Sequence, residues 1–198
     1  MKNNQANADL SELISFTINN GATRAKILPL DCVSVEDRLA SFCHEPKCPY
    51  WGQSASCPPH VSGPAGFREM LATCQKVLVL RLEIDSSSLH GEERPFVLRL
   101  LHETVARTEQ RAVELGFPKA AGFAGGSCKP SFCADRKTCR AIEKGRCRFP
   151  DLARPSLSGY GVNVGKLMEA AGWSTALFTA DENDRDHLAW IAGLVLLS

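Results

Sequence analysis

Four cysteines, Cys128, Cys133, Cys139 and Cys147, share one short window with gaps of four, five and seven residues. Three more, Cys43, Cys48 and Cys57, occupy a second window with gaps of four and eight. Deprotonated thiols are soft donors, and four of them on one loop complete a tetrahedral zinc site or anchor an iron–sulfur cluster. Structural zinc usually takes its ligands from tight two-residue knuckles, whereas these wider gaps suit a bulkier object approached from several sides. Gly125, Gly126 and Ser127 precede Cys128 and leave the backbone free to aim amide donors at cluster sulfides. Proline directly follows Cys48 and Cys57, as it follows the last cysteine of ferredoxin-type runs. The expectation is one or two iron–sulfur clusters of the 4Fe-4S type, with zinc as the alternative.

The second window supplies only three thiols. Its fourth ligand could be His44 or His60, Cys32 or Cys74, or a molecule from outside the chain. A cluster closed by four thiolates usually only moves electrons, whereas an open iron can act as a Lewis acid. Three functions therefore stand side by side: an electron-transfer or redox-activating protein, an enzyme working at an open three-cysteine site, and a binding module held by structural zinc.

Composition narrows the setting. The chain has 198 residues, 44% of them hydrophobic and 23% charged, which suits one soluble globular domain and excludes a mainly disordered chain. A formal charge of +1 gives no general attraction to nucleic acid or anionic membranes. The first ten residues lack the apolar run of a secretory signal, and the longest apolar stretch, 188–197, is about half of the ~20 residues that a membrane helix needs. A cytoplasmic location is the expectation, and in a reducing compartment an odd count of nine cysteines argues for metal ligation over disulfides. Between Lys129 and Arg148 lie seven basic residues against two acidic ones. Those cations would offset a negatively charged cluster and offer a docking face to an acidic redox partner. Aromatic interleaving there is limited to Phe132 and Phe149, so nucleic acid is not expected. The oligomeric state is left open.

The elements that must position these loops read as a single α/β sandwich, a small mixed sheet covered by helices. Residues 1–24 read as a flexible tail, 25–198 as the domain, and 125–155 as a cysteine-rich insert with little apolar period, which a metal must fold. An edge strand is expected at 25–30. A capping box at Ser34–Asp37 should open a helix burying Val35, Leu39 and Phe42. Pro64 starts another helix, with Phe67, Leu71 and Cys74 on one stripe. Residues 76–84 alternate as a strand, and 95–115 carry Val97, Leu101, Val105, Ala112 and Leu115 along one helical face. A last helix at 162–172 stops at Gly172, and strands at 175–179 and 190–197 would pair antiparallel across the polar stretch 181–186.

Cys48-Pro-Tyr-Trp-Gly52, Cys57-Pro-Pro59, Gly-Gly-Ser-Cys128, Cys147-Arg148 and Arg154-Pro-Ser156, in that order, resemble an uncharacterised bacterial and archaeal family of predicted metal-binding proteins. The likeness spans roughly residues 25–197. It implies a cytoplasmic metal-binding protein, of iron–sulfur type, and carries no established reaction. Gly159 to Gly165 has the wrong final spacing for a dinucleotide loop, and no Walker lysine loop, Gly-x-Ser-x-Gly elbow or HExxH helix is present.

Overall fold

The strand expected at 76–84 is apolar on both faces, which requires a central position with a layer on each side. In the computed structural model, which describes residues 2–44, 47–175 and 188–198 (side chains from residue 9 onward), it is β2 (Lys76–Asp85). β2 lies between β1 (Arg24–Leu28) and β4 (Leu188–Leu197), and β3 (Ala121–Ala124) completes the order β1-β2-β4-β3. Lys76 pairs with Leu197 and Leu80 with Gly193. All three ladders run antiparallel, and the parallel pairing among the described residues is the isolated bridge between Ala124 and Ser156. The expected α/β sandwich is thus observed, with an antiparallel sheet in place of the mixed one expected and with β3 a strand that its four residues did not announce.

Leu78, Leu80 and Leu82 project to one face, against Leu101, Val105 and Ala112 of α5 (Arg94–Glu114). Val77 and Val79 project to the other, against Phe67 of α3 (Gly63–Leu71) and Leu167 and Met168 of α8 (Val164–Ala171). Between these lie the short helices α2 (Asp37–Ala40), α4 (Ser86–His90), α6 (Cys128–Phe132) and α7 (Arg140–Lys144). The flexible tail expected over residues 1–24 is instead largely helix α1 (Lys2–Asn19). Leu10, Leu13, Ile14 and Thr17 form an i, i+3, i+4, i+7 stripe that the surrounding Asn and Ala obscured, and Leu13 is 0% exposed beside α5. No helix among the described residues is long and apolar enough to cross a membrane.

The capping box does not form. α2 has only four residues, Ser34 Oγ donates to the Glu36 carboxylate, and Phe42 is 58% exposed. Glu36 works as a clamp: its carboxylate accepts from Asn163 Nδ2 (2.7 Å) and pairs with Lys166 Nζ (3.0 Å) and Arg38 Nη2 (2.5 Å). Its backbone N–H donates to Gly161 O (2.8 Å). Gly161 has φ +70°, and a Cβ there would stand 2.5 Å from Glu36 O, so only glycine fits this turn. Asn163 Oδ1 caps α8 through Lys166 N–H (3.1 Å), and Gly172 (φ +75°) ends that helix as expected. The glycine-rich segment is therefore a turn fastened to Glu36. The expected strand at 175–179 lies, beyond Thr175, outside the described residues, as does the polar stretch 181–186; Thr175 is not in a strand.

Asn163 and Lys166 hold the Glu36 carboxyl down to about 2, against ~4.3 for a free glutamate. A depressed acid stabilises the fold above its unfolded pKa and loses that contribution as pH falls through the folded one. The urea midpoint of the wild type should exceed that of Glu36→Gln above about pH 5, and the gap should close between about pH 4.3 and 2. A gap that persists unchanged at pH 2 would refute the clamp.

Candidate metal centre

Three segments run side by side where β3 ends. Ala124 N–H donates to Pro155 O (3.0 Å), Ser156 N–H to Ser56 O (2.9 Å), and Gly125 N–H to Ala192 O (3.0 Å). Arg154, 7% exposed, fixes this junction to α5: its Nε donates to Glu109 Oε2 (2.9 Å) and its Nη1 to Pro150 O (3.0 Å) and Ala153 O (3.1 Å). The same Glu109 oxygen accepts from Gly122 N–H, and a Cβ at Gly122 would stand 2.7 Å from that oxygen. Arg154 N–H donates to Nδ1 of fully buried His102 (3.1 Å). Burial, helped by the charge of Arg154, pushes His102 down to about 4, so it stays neutral and accepts this bond. His102 is thus a buried structural residue rather than a solvated one.

On one side of the junction, Cys128, Cys133, Cys139 and Cys147 line a single cavity of about 20 Å³ together with Ser54, Lys129 and Arg148. Ser54 Oγ meets Ser56 Oγ at 3.0 Å, and Ser56 Oγ meets Cys128 Sγ at 2.9 Å. Cys147 Sγ accepts from Phe149 N–H (3.3 Å). Burial raises the Cys128 thiol to about 11 despite the Ser56 and Ser54 hydroxyls, and raises Cys133 against the opposing charges of Arg148 and Lys129. Burial acts on Cys139 as well, but the N–H groups of Ala55, Ile142 and Ala141, with Lys129, outweigh it and hold that thiol below its usual range. Lys129 is 7% exposed, and its Nζ donates to Arg136 O (2.5 Å). A buried cation beside four thiols is a counter-charge for whatever they hold.

On the other side, Cys43, Cys48 and Cys57 line an open pocket of about 440 Å³. Cys57 is buried, and its Sγ–H donates to Ser127 Oγ (3.3 Å), one residue before Cys128. The two cysteine sets therefore sit back to back across residues 56–57 and 127–128. Burial, with Cys48 and Cys57 nearby, pushes Cys43 up to about 11. Of the suggested fourth ligands, His44 is exposed and stacks on Trp51 (4.4 Å between ring centroids), and His60 is exposed. Cys74 is hydrogen-bonded to Met70 O (3.1 Å) and Ser198 Oγ (3.0 Å) at the far end of β4, and Cys32 packs on the core. All nine cysteines are free thiols. Among the described residues, no three of His, Cys, Asp and Glu are gathered closely enough to hold a single metal ion.

Two expectations change here. The Gly125 amide is spent on β4, and Gly126 and Ser127 line the three-cysteine pocket rather than the four-cysteine cavity. The insert is also not without an apolar anchor: Phe132 is buried, edge-on to His102 and 5.4 Å from Phe149, with the Arg99 guanidinium over its ring. Sequence reading missed the roles of Ser54, Ser56, Lys129 and Glu109. It met Arg154 only as part of a motif.

An α/β sandwich that presents two adjoining sets of free thiols is a cysteine-rich protein whose site offers soft sulfur donors. The chain is a member of the family described as predicted metal-binding protein (DUF2284), which matches residues 26–197. Neither a curated protein nor a solved structure matches it.

Arg154→Ala would leave the Glu109 carboxylate without its cation and free the junction, with an expected loss of about 2–3 kcal/mol in urea unfolding. Buried Cys57 should at the same time react faster with a thiol reagent. Unchanged stability and unchanged thiol reactivity would remove Arg154 from this role.

Proposed function

We propose that the chain is a cytoplasmic iron–sulfur protein. In this reading Cys128, Cys133, Cys139 and Cys147 hold one 4Fe-4S cluster, and Cys43, Cys48 and Cys57 contribute to a second. When bound, such a cluster takes up and returns single electrons, and electron delivery or redox activation is the proposed role. The observation that carries the reading is that four free thiols from one loop line one enclosed cavity with a buried lysine beside them. The donor set fits: every potential ligand is a soft sulfur, and Lys129 and Arg148 supply positive charge. A cavity of about 20 Å³ is smaller than a cluster, so a bound cluster would have to spread the loops of the insert and would couple their order to the metal.

The chain's own groups would tune the centre. Lys129 keeps positive charge against the thiols without solvent screening. Ser56, bonded to Cys128 Sγ, would draw charge from that ligand. Exposed Lys137, Arg140, Lys144 and Arg146 have no carboxylate partner among the described residues, which supports an acidic redox partner docking beside the cavity. A second reading is favoured by the 440 Å³ pocket, which lies within the range of small-molecule sites: an enzyme that binds its substrate at an open iron of the three-cysteine set.

Anaerobically purified protein should contain iron and acid-labile sulfide and absorb in the brown charge-transfer region. The double variant Cys133→Ser/Cys139→Ser should lose about half of the iron, or all of it if only one cluster forms, and show faster amide exchange across 128–149 while the sheet stays protected. Colourless protein with stoichiometric zinc would dismiss the reading. Lys129→Met should lower the midpoint potential at unchanged iron content, because removing a buried positive charge disfavours the added electron; an unchanged potential would show that Lys129 only fills space.

A further inference from the structure

The three-cysteine pocket carries a pattern of side chains that metal ligation leaves unused. Lys47 and Arg94 both line it, and neither has a carboxylate partner among the described residues. Arg94 gives one Nη1 bond to Leu89 O (3.1 Å), which steers the guanidinium without neutralising it. No carboxylate lines the pocket among the described residues; the other polar groups on its wall include the hydroxyls of Tyr50, Ser127, Ser156 and Ser158. Two cations with no carboxylate partner among the described residues, set beside hydroxyls, form an anion-selective wall.

The rest of the lining is flat and apolar. Trp51 is held by its stack on His44, and Phe42 stands at the pocket with Lys47 Nζ 5.2 Å from its ring centroid. Phe42 is 58% exposed, a large aromatic left in water where the sequence pattern would bury it. Exposure of a ring at the wall of a ligand-sized cavity is explained if the ring is covered when the cavity is filled. A pinned indole and a free phenyl ring present faces on which a planar body can lie.

We infer that this pocket binds a small organic anion, a carboxylate or phosphate attached to a flat apolar body, with Lys47 and Arg94 on the anionic group and Trp51 and Phe42 on the ring. The inference names the ligand class for the second reading above and rests on its view that the three-cysteine set faces a working site. It does not depend on which metal is there. The anionic end meets the cations while the planar body fills the space between the aromatic wall and Pro58, close to Cys57.

Full-length protein, purified anaerobically and used as isolated, is titrated by calorimetry with benzoate, phenyl phosphate, benzyl alcohol and benzylamine. At least one of the two anions should bind saturably and at least ten times more tightly than the alcohol or the amine, and the tighter anion identifies the headgroup. The double variant Lys47→Gln/Arg94→Gln changes two exposed residues. It should weaken anion binding tenfold or more, with the melting temperature and metal content unchanged. Trp51→Leu should weaken both the anions and the alcohol, since it removes the surface on which the ring lies. Absence of saturable binding by either anion, equal binding of the alcohol, or full binding by the double variant would overturn the inference. Selective anion binding by protein that proves to hold no iron would uphold the pocket's ligand class while defeating the iron–sulfur reading, so the two failures are distinguishable.

Discussion

The half-buried pairing of Arg154 with Glu109 is the interaction on which the candidate site depends. Loops rich in Cys, Gly, Pro and Lys have little apolar surface with which to order themselves, so they must be tied to something that does. The guanidinium reaches from the segment after the insert to a carboxylate on α5, and that carboxylate also receives an amide of β3. One charged pair thereby joins the insert, the longest described helix and the edge of the sheet. Arg154 Nη1 also closes on Pro150 O and Ala153 O, and the next two residues pair with Ala124 and Ser56. Burying such a pair is costly unless each charge is well bonded. Here the guanidinium and its carboxylate are hydrogen-bonded from several sides, and neutral His102 accepts the Arg154 amide.

This anchoring explains why two thiol sets distant in sequence adjoin in space. Once Ser156 holds Ser56, Cys57 must lie beside Ser127, and Cys128 must lie beside Ser56. The contact between the sets is made of hydroxyl–thiol hydrogen bonds, a polar bridge between two desolvated regions. In a low-dielectric setting such bonds carry charge effects from one set to the other more strongly than water would allow. The proposed clusters would then be electrostatically coupled neighbours, one enclosed by the insert and one open to the pocket.

Enclosure and access divide the chemistry. The four-cysteine cavity is walled by Phe132, Phe149 and a buried lysine, an environment suited to holding charge away from water. The three-cysteine pocket is roomy, cationic and aromatic, an environment suited to receiving a molecule. The Glu36 clamp shapes the second of these: it holds the turn whose Ser158 lines the pocket and whose Gly159 leaves no room for a Cβ against Pro58.

What the sequence determined by itself was local. The alternation of 76–84 and the stop at Gly172 depend on side-chain period and glycine conformation and appeared where expected, and the apolar face of 95–115 did so at Leu101, Val105 and Ala112, with Leu98 buried in place of Val97. The grouping of thiols into two sets was likewise legible, because short windows force nearby cysteines to stay nearby. Only the tertiary structure decided what those windows face. Strand β3 is too short for a period, and α1 hides its apolar stripe among polar residues. The capping box failed because the Ser34 hydroxyl donates to Glu36 and the Asp37 carboxylate, its other half, pairs with Arg68 31 residues away. The roles of Arg154, Glu109 and Lys129 arise from burial and from partners brought together by folding, and a linear pattern contains neither quantity. The same reason hid the pocket: Lys47, Trp51 and Arg94 are ordinary surface residue types until the chain sets them around one space.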